Sequence, residues 1–174
     1  MAVIHVGIDP GVHGAVAVIN GKQAWVVDLP TITFQTGGKT KAGNKRKKTV
    51  LDAGALVTLL HDIAALGGES FDTRVVAWLE DTHSMPKDGK VAVEAFGRAC
   101  GMIEGVMAAV GLAYTKVSPA RWRPAMVGRG EGKEASRRRA TQLFPTVSFT
   151  RVKDHNRAEA LLIAEWGRQS YQKM

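Results

Sequence analysis

The sequence predicts an α/β fold in a single domain, a central mixed β-sheet flanked by helices, and three observations predict it. Residues 3–8 (Val-Ile-His-Val-Gly-Ile) and 75–79 (Val-Val-Ala-Trp-Leu) are nearly unbroken apolar runs rich in β-branched side chains, the pattern of strands covered on both faces. Over 51–66 and 88–110 apolar residues recur every three or four positions, the period of helices that lay one face on a sheet. The 174 residues carry no internal repeat and no shift in composition, and 45% apolar content suffices for one sizeable core.

The elements follow in order. The strand at 3–8 delivers Asp9 into Pro10-Gly11, Gly14 leaves room for close backbone approach, and residues 15–19 read as a returning strand closed by Asn20-Gly21. The unit is a hairpin with an acid at its base. Asp-Pro-Gly is also common turn chemistry, so Asp9 acquires meaning only from what joins it. Residues 23–29 form a third strand stopped at Pro30. Residues 35–49, rich in Gly, Lys and Thr and without an apolar period, read as a basic flexible loop. The helix at 51–66 closes at Gly67-Gly68, the strand at 75–79 ends in Glu80-Asp81, and the helix at 88–110 ends at Gly111. A short strand covers 112–117. Ser118-Pro119 then supplies a cap and a first-turn proline. A glycine-rich basic loop at 128–132 leads into a helix ending near 144, and the last helix spans 155–171. Trp25, Trp78 and Trp166 sit in periodic apolar segments and read as core, whereas Trp122 is placed to stack on a base or sugar.

Charge sets the partner class. Against 16 Asp and Glu stand 24 Lys and Arg, a net charge of +8, and the excess is blocked rather than scattered. Lys39, Lys41, Lys45, Arg46, Lys47 and Lys48 form one block; Arg121, Arg123, Arg129, Lys133 and Arg137 to Arg139 form another. Blocks of this kind fit a nucleic-acid backbone. No apolar run has the length of a membrane span and no secretory pattern opens the chain, so no membrane partner is expected. The single Cys100 suits a reducing compartment, and the expected location is cytoplasmic in a phage or bacterial setting, with an organelle matrix left open.

Glu80 ends one buried run much as Asp9 follows another. On adjacent central strands the two carboxylates stand close together, and like charges there require a shared proton or divalent cations. His155 and Glu159 lie four residues apart, on one face of the last helix. Asp9, Glu80 and Glu159 with His155 nearby would form an oxygen-rich site, which favours magnesium or manganese over zinc.

Gly7-Ile8-Asp9-Pro10-Gly11, the strand ending in Glu80, the helix around Gly97-Arg98, and Arg157-Ala158-Glu159-Ala160-Leu161-Leu162-Ile163-Ala164 occur in the order found in RuvC-type Holliday junction resolvases of the RNase H-like superfamily. The resemblance covers most of the chain from Val3 to Trp166, and its lysine-rich insertion and Glu159 make it most similar to phage and chloroplast members. It implies a structure-selective endonuclease that nicks symmetric strands of a four-way junction as a homodimer. It further implies that two Mg²⁺ ions, with Mn²⁺ able to substitute, are held by Asp9, Glu80, His155 and Glu159. Asp154 is the alternative to His155, and flanking Asn156 is left open. Two such metals, roughly 4 Å apart, clamp the attacking water and the leaving oxygen. Lys133 approximately matches a catalytic lysine of the bacterial relatives. Lys39, Lys41, Lys45, Arg46, Lys47, Lys48, Arg121, Arg123 and Arg129 are expected on the DNA backbone, His83 and Met85 near the junction centre, and the helix at 88–110 is a candidate dimer interface. Two rivals stand beside this reading. An actin-like ATPase shares the Asp-x-Gly hairpin but needs two lobes; an RNase H-like binding module with lost or different nuclease activity, on branched DNA or an RNA/DNA hybrid, does not.

Overall fold

A computed structural model describes residues 2–68, 73–83 and 89–173. Its five-stranded sheet has the order β3-β2-β1-β6-β7, built from β1 (Ala2–Asp9), β2 (Ala15–Asn20), β3 (Gln23–Asp28), β6 (Thr73–Glu80) and β7 (Tyr114–Val117). β1 pairs antiparallel with β2 and parallel with β6, so the sheet is mixed and β1 is central. Strand alternation then sorts side chains to two faces. Ile4, Val6 and Ile8 bury on one face with Leu56 and Leu60 of α1 (Ala53–Ala65) and Ile103 and Met107 of α2 (Lys90–Ala109). Ala15, Ala17, Ile19 and Trp78 bury on the other with α5 (His155–Tyr171), which α3 (Pro119–Met126) and α4 (Lys133–Leu143) cover from outside. Sandwiched in this way, α5 is buried without a break from Ala158 to Glu165. Its stretch 160–164 (Ala-Leu-Leu-Ile-Ala) is apolar on every side, as a helix segment covered on both faces requires.

What seats α5 is the absence of a side chain. A Cβ on Gly7 would lie 2.1 Å from the Ala160 carbonyl oxygen and 2.4 Å from the Ala164 nitrogen, so the helix backbone rests directly on β1. That close approach fixes the height of Glu159, one residue before Ala160.

The segment 35–49, expected as a flexible loop, lies within a second, two-stranded sheet: β4 (Thr31–Lys39) pairs antiparallel with β5 (Lys45–Leu51). The physical reason lies in its cross-strand pairs. Ile32 faces Val50, and Thr33 faces Thr49 with their hydroxyls 2.8 Å apart, so β-branched pairs hold the base while lysines fill the tip. An exposed hairpin buries too little to show an apolar period. Leu51 consequently ends β5 instead of opening a helix, and Asp52 caps α1 by accepting from the Ala55 N–H at 3.1 Å. The start expected for the long helix, Asp88, lies outside the described residues. Trp78 is buried and meets Trp166 edge-on at 5.6 Å between ring centroids, while Trp25 packs half-buried on the opposite face.

His5 is buried on β1 beside Tyr171, and among the described residues its Nδ1 has no hydrogen-bond partner. Burial lowers its pKa, Arg168 lowers it further, and Glu165 opposes them. The unfolded chain therefore takes up a proton near 6.5 that the folded one refuses, and stability falls as pH drops below that value. Each unit of separation is worth about 1.4 kcal/mol. Thermal melts of His5→Phe should lose this dependence below pH 6.5; a slope equal to that of the unsubstituted protein would refute the assignment.

Candidate active site at the carboxyl ends of the central strands

The last parallel pair of β1 and β6 is Ile8 with Leu79, so Asp9 and Glu80 follow it on adjacent strands. Asp9 pairs with Ala15 and Glu80 with Val117, both on the α5 face, which puts the two acids on the side where Glu159 sits. Asp9 is 8% exposed and belongs to a turn folded tightly back on its strand. A Cβ on Gly14 would stand 2.1 Å from the Asp9 carbonyl oxygen, so a larger residue would displace the strand end that carries the acid.

Glu80 accepts from the Trp122 indole N–H at 2.8 Å and from the Thr82 hydroxyl at 2.6 Å. Burial raises its pKa and the negative charge of Glu159 raises it further, against the opposing effects of Thr82, Trp122 and Arg123. The two glutamates thus share one electrostatic environment. Glu159, 8% exposed, accepts from the Arg123 guanidinium and from the Ser136 hydroxyl at 3.2 Å.

One expectation changes here. Trp122 is fully buried with its N–H on Glu80, so it is unavailable to stack on a base. Arg123, expected on the DNA backbone, forms an ion pair with Glu159. Asp154, the alternative metal ligand, is buried and consumed locally: it accepts from the Arg151 backbone N–H at 2.7 Å and from Arg151 Nε at 2.8 Å. Burial alone would raise its pKa, but the hydrogen bonds from Arg151 prevail and hold it below the usual range. It closes a capping box on the short 3-10 turn, Val152–Asp154, that leads into α5.

The same end of α5 is lashed to the sheet. Arg157 donates to Asp28 at 3.1 Å and to the Val26 carbonyl at 2.9 Å, and Asn156 donates to the His13 carbonyl at 2.6 Å. His155, the first residue of α5, is half-buried and lines a groove of about 430 Å³ with Val12, His13, Gly14, Lys153 and Asn156. The groove runs along the turn that follows Asp9.

Among the described residues, no three His, Cys, Asp or Glu side chains are grouped as a metal ion requires. The glutamate oxygens are instead engaged by Arg123, Ser136, Trp122 and Thr82. The donor chemistry nevertheless fits a hard divalent cation: carboxylates come from β1, β6 and α5 to one end of the sheet, and a positive group already rests on one of them. Lys133 opens α4. Lys39, Lys41, Lys45, Arg46, Lys47 and Lys48 are exposed on the hairpin, as are Arg121 and Arg129 near α3. His83 is exposed, 3.8 Å from Asp81, and Met85 lies outside the described residues. Trp122, Ser136 and Thr82 carry no motif that marks them in the sequence; their partners stand up to 42 positions away.

No family model matches the chain. It is 29% identical over 148 residues to the chloroplastic Holliday junction resolvase MOC1 of Chlamydomonas reinhardtii, covering 81% of this chain and 17% of the length of that protein. Among solved structures, RuvC of Thermus thermophilus in complex with a Holliday junction substrate superposes with a TM-score of 0.59 at 14% identity, covering 99% of this chain and 96% of that one. A second Thermus thermophilus RuvC structure gives 0.55 at 15% identity, with the same coverage. In fold the chain is similar to RuvC, a mixed five-stranded sheet flanked by helices, and in sequence it resembles the chloroplastic Holliday junction resolvase.

Proposed function

We propose that this chain is a Mg²⁺-dependent endonuclease that resolves four-way DNA junctions as a homodimer. The observation that carries the reading is the meeting of β1, β6 and α5, which sets Asp9, Glu80 and Glu159 at one end of the sheet on one face. Similarity to MOC1 and the RuvC fold supports the substrate class.

Asp9, Glu80 and Glu159, with His155 at the head of the same helix, would hold the metal. When bound, the ions would supply an acidified water and neutralise charge on the leaving oxygen. Asp9, where β1 meets its turn, would supply a carboxylate ligand from the central strand. Trp122 and Thr82 orient Glu80, and the raised pKa of Glu80 means that a proton competes for this ligand as pH falls. Lys133, at the start of α4, would meet the scissile phosphate. The dyad of a homodimer matches the near two-fold symmetry of a junction. α2 buries Ala99, Ile103 and Met107 in its own domain but leaves Val91 79% exposed, so it retains apolar surface for a second copy.

The hairpin is read as the arm that grips DNA. Lys39 stands directly opposite Lys45, an unfavourable pairing that a phosphate backbone relieves. Replacing Lys45, Lys47 and Lys48 by Ala should lower the slope of log affinity against log salt by about 0.9 for each phosphate left without its cation. Anisotropy titrations with a labelled junction measure it, and an unchanged slope would take the hairpin off the backbone.

The test of the function is incubation with a synthetic four-way junction, a matched linear duplex and an RNA/DNA hybrid in Mg²⁺. Paired symmetric nicks in the junction alone are expected. Hybrid cutting would shift the activity toward that of an RNase H, and binding without cutting would leave a junction-binding module.

A further inference from the structure

We propose that Arg123 is the site's internal counter-cation: its guanidinium occupies Glu159 in the metal-free protein, and loading of a divalent cation displaces it toward the substrate phosphate. This rests on the nuclease reading and adds to it an exchange between two cations.

An ionised carboxylate as buried as Glu159 needs compensation. Ser136 supplies a neutral donor, and Arg123 supplies charge. The two acids are served by consecutive residues of α3 with opposite freedom to move. Trp122 is fully buried, so its N–H is a fixed donor to Glu80. The Arg123 side chain is 26% exposed, on a long stem, and its second nitrogen donates to the Glu131 carbonyl at a long 3.5 Å. It also lies over the Trp122 ring, 5.3 Å from the centroid, and that stacking tethers the guanidinium to α3. Arg123 itself lines an open groove with Pro119, Gly128, Arg129, Gly130 and Glu131, which gives the guanidinium somewhere to go. A group arriving there meets Arg129, and a phosphate between the two would be bound by both.

A guanidinium and a metal ion repel each other and compete for the same carboxylate. Binding one therefore weakens the other, and the coupling is reciprocal. Without metal, Arg123 shields Glu159 from Glu80; with metal bound, the released guanidinium becomes available to substrate.

Calorimetric titration of Mn²⁺ without DNA, together with melts in EDTA and in Mn²⁺, tests this on the full chain. Arg123→Gln should bind Mn²⁺ about tenfold more tightly than the unsubstituted protein. It should also melt roughly 3–8 °C lower in EDTA, with a larger rise on adding Mn²⁺. Arg123→Lys should fall between the two. Ser136→Ala removes a donor from Glu159 without removing charge and should leave Mn²⁺ affinity within about twofold, which separates charge from packing. Equal or weaker Mn²⁺ binding by Arg123→Gln overturns the exchange. If the unsubstituted protein still nicks junctions in that case, the nuclease reading survives without it; if that protein neither binds Mn²⁺ nor nicks, both fall.

Discussion

Asp9→Asn should cut Mg²⁺-dependent junction nicking by at least about a hundred- to thousandfold while junction affinity changes by no more than about twofold. The asymmetry follows from where Asp9 stands. It ends the central strand, it is nearly buried, and none of the exposed cations assigned to DNA lies next to it in the chain. The amide keeps the shape of the side chain, so β1, its turn and the hairpin arm are expected to survive. What disappears is the negative charge that would hold two cations together. Quantitative nicking assays beside anisotropy titrations in Ca²⁺ separate the two quantities. Cleavage that persists in Asp9→Asn would place the chemistry elsewhere, and a parallel drop in binding would mean that Asp9 is structural.

The second large effect is on stability. Gly7→Val should cost several kcal/mol, well above the roughly 1–3 typical of overpacking, and yield little folded protein. Ordinary overpacking is absorbed by side chains that shift rotamer, but here the atoms in the way belong to the α5 backbone, at 2.1 and 2.4 Å from the added carbon. Accommodating it means lifting a helix that is buried along most of its length. Gly7→Ala offers a graded version in which a folded population survives: its α5 sits higher, and Glu159 moves relative to Asp9 and Glu80. Its melting temperature should fall and its nicking rate should fall by more than the reduced folded fraction explains. Denaturant unfolding of both variants checks the ranking, and a Gly7→Ala protein of unchanged stability would contradict the close approach.

The alternation of strands and helices, the central place of the run ending in Asp9, and the acids at two strand ends and on the last helix can all be read from the order of residues. Those features are legible because they are carried by neighbouring residues: a covered strand needs an unbroken apolar run, and a packed helix repeats every three or four positions. Tertiary structure alone decided the partners of the acids. Trp122 meets Glu80 across 42 positions and Arg123 meets Glu159 across 36, and no local pattern encodes such pairings. It also decided the surroundings of Asp154: Arg151, donating from both its backbone and its side chain, holds that carboxylate in the turn before α5. The hairpin at 31–51 belongs to the same class, because strands that bury little surface are held by cross-strand pairs, and pairing is settled only when the chain has folded back on itself.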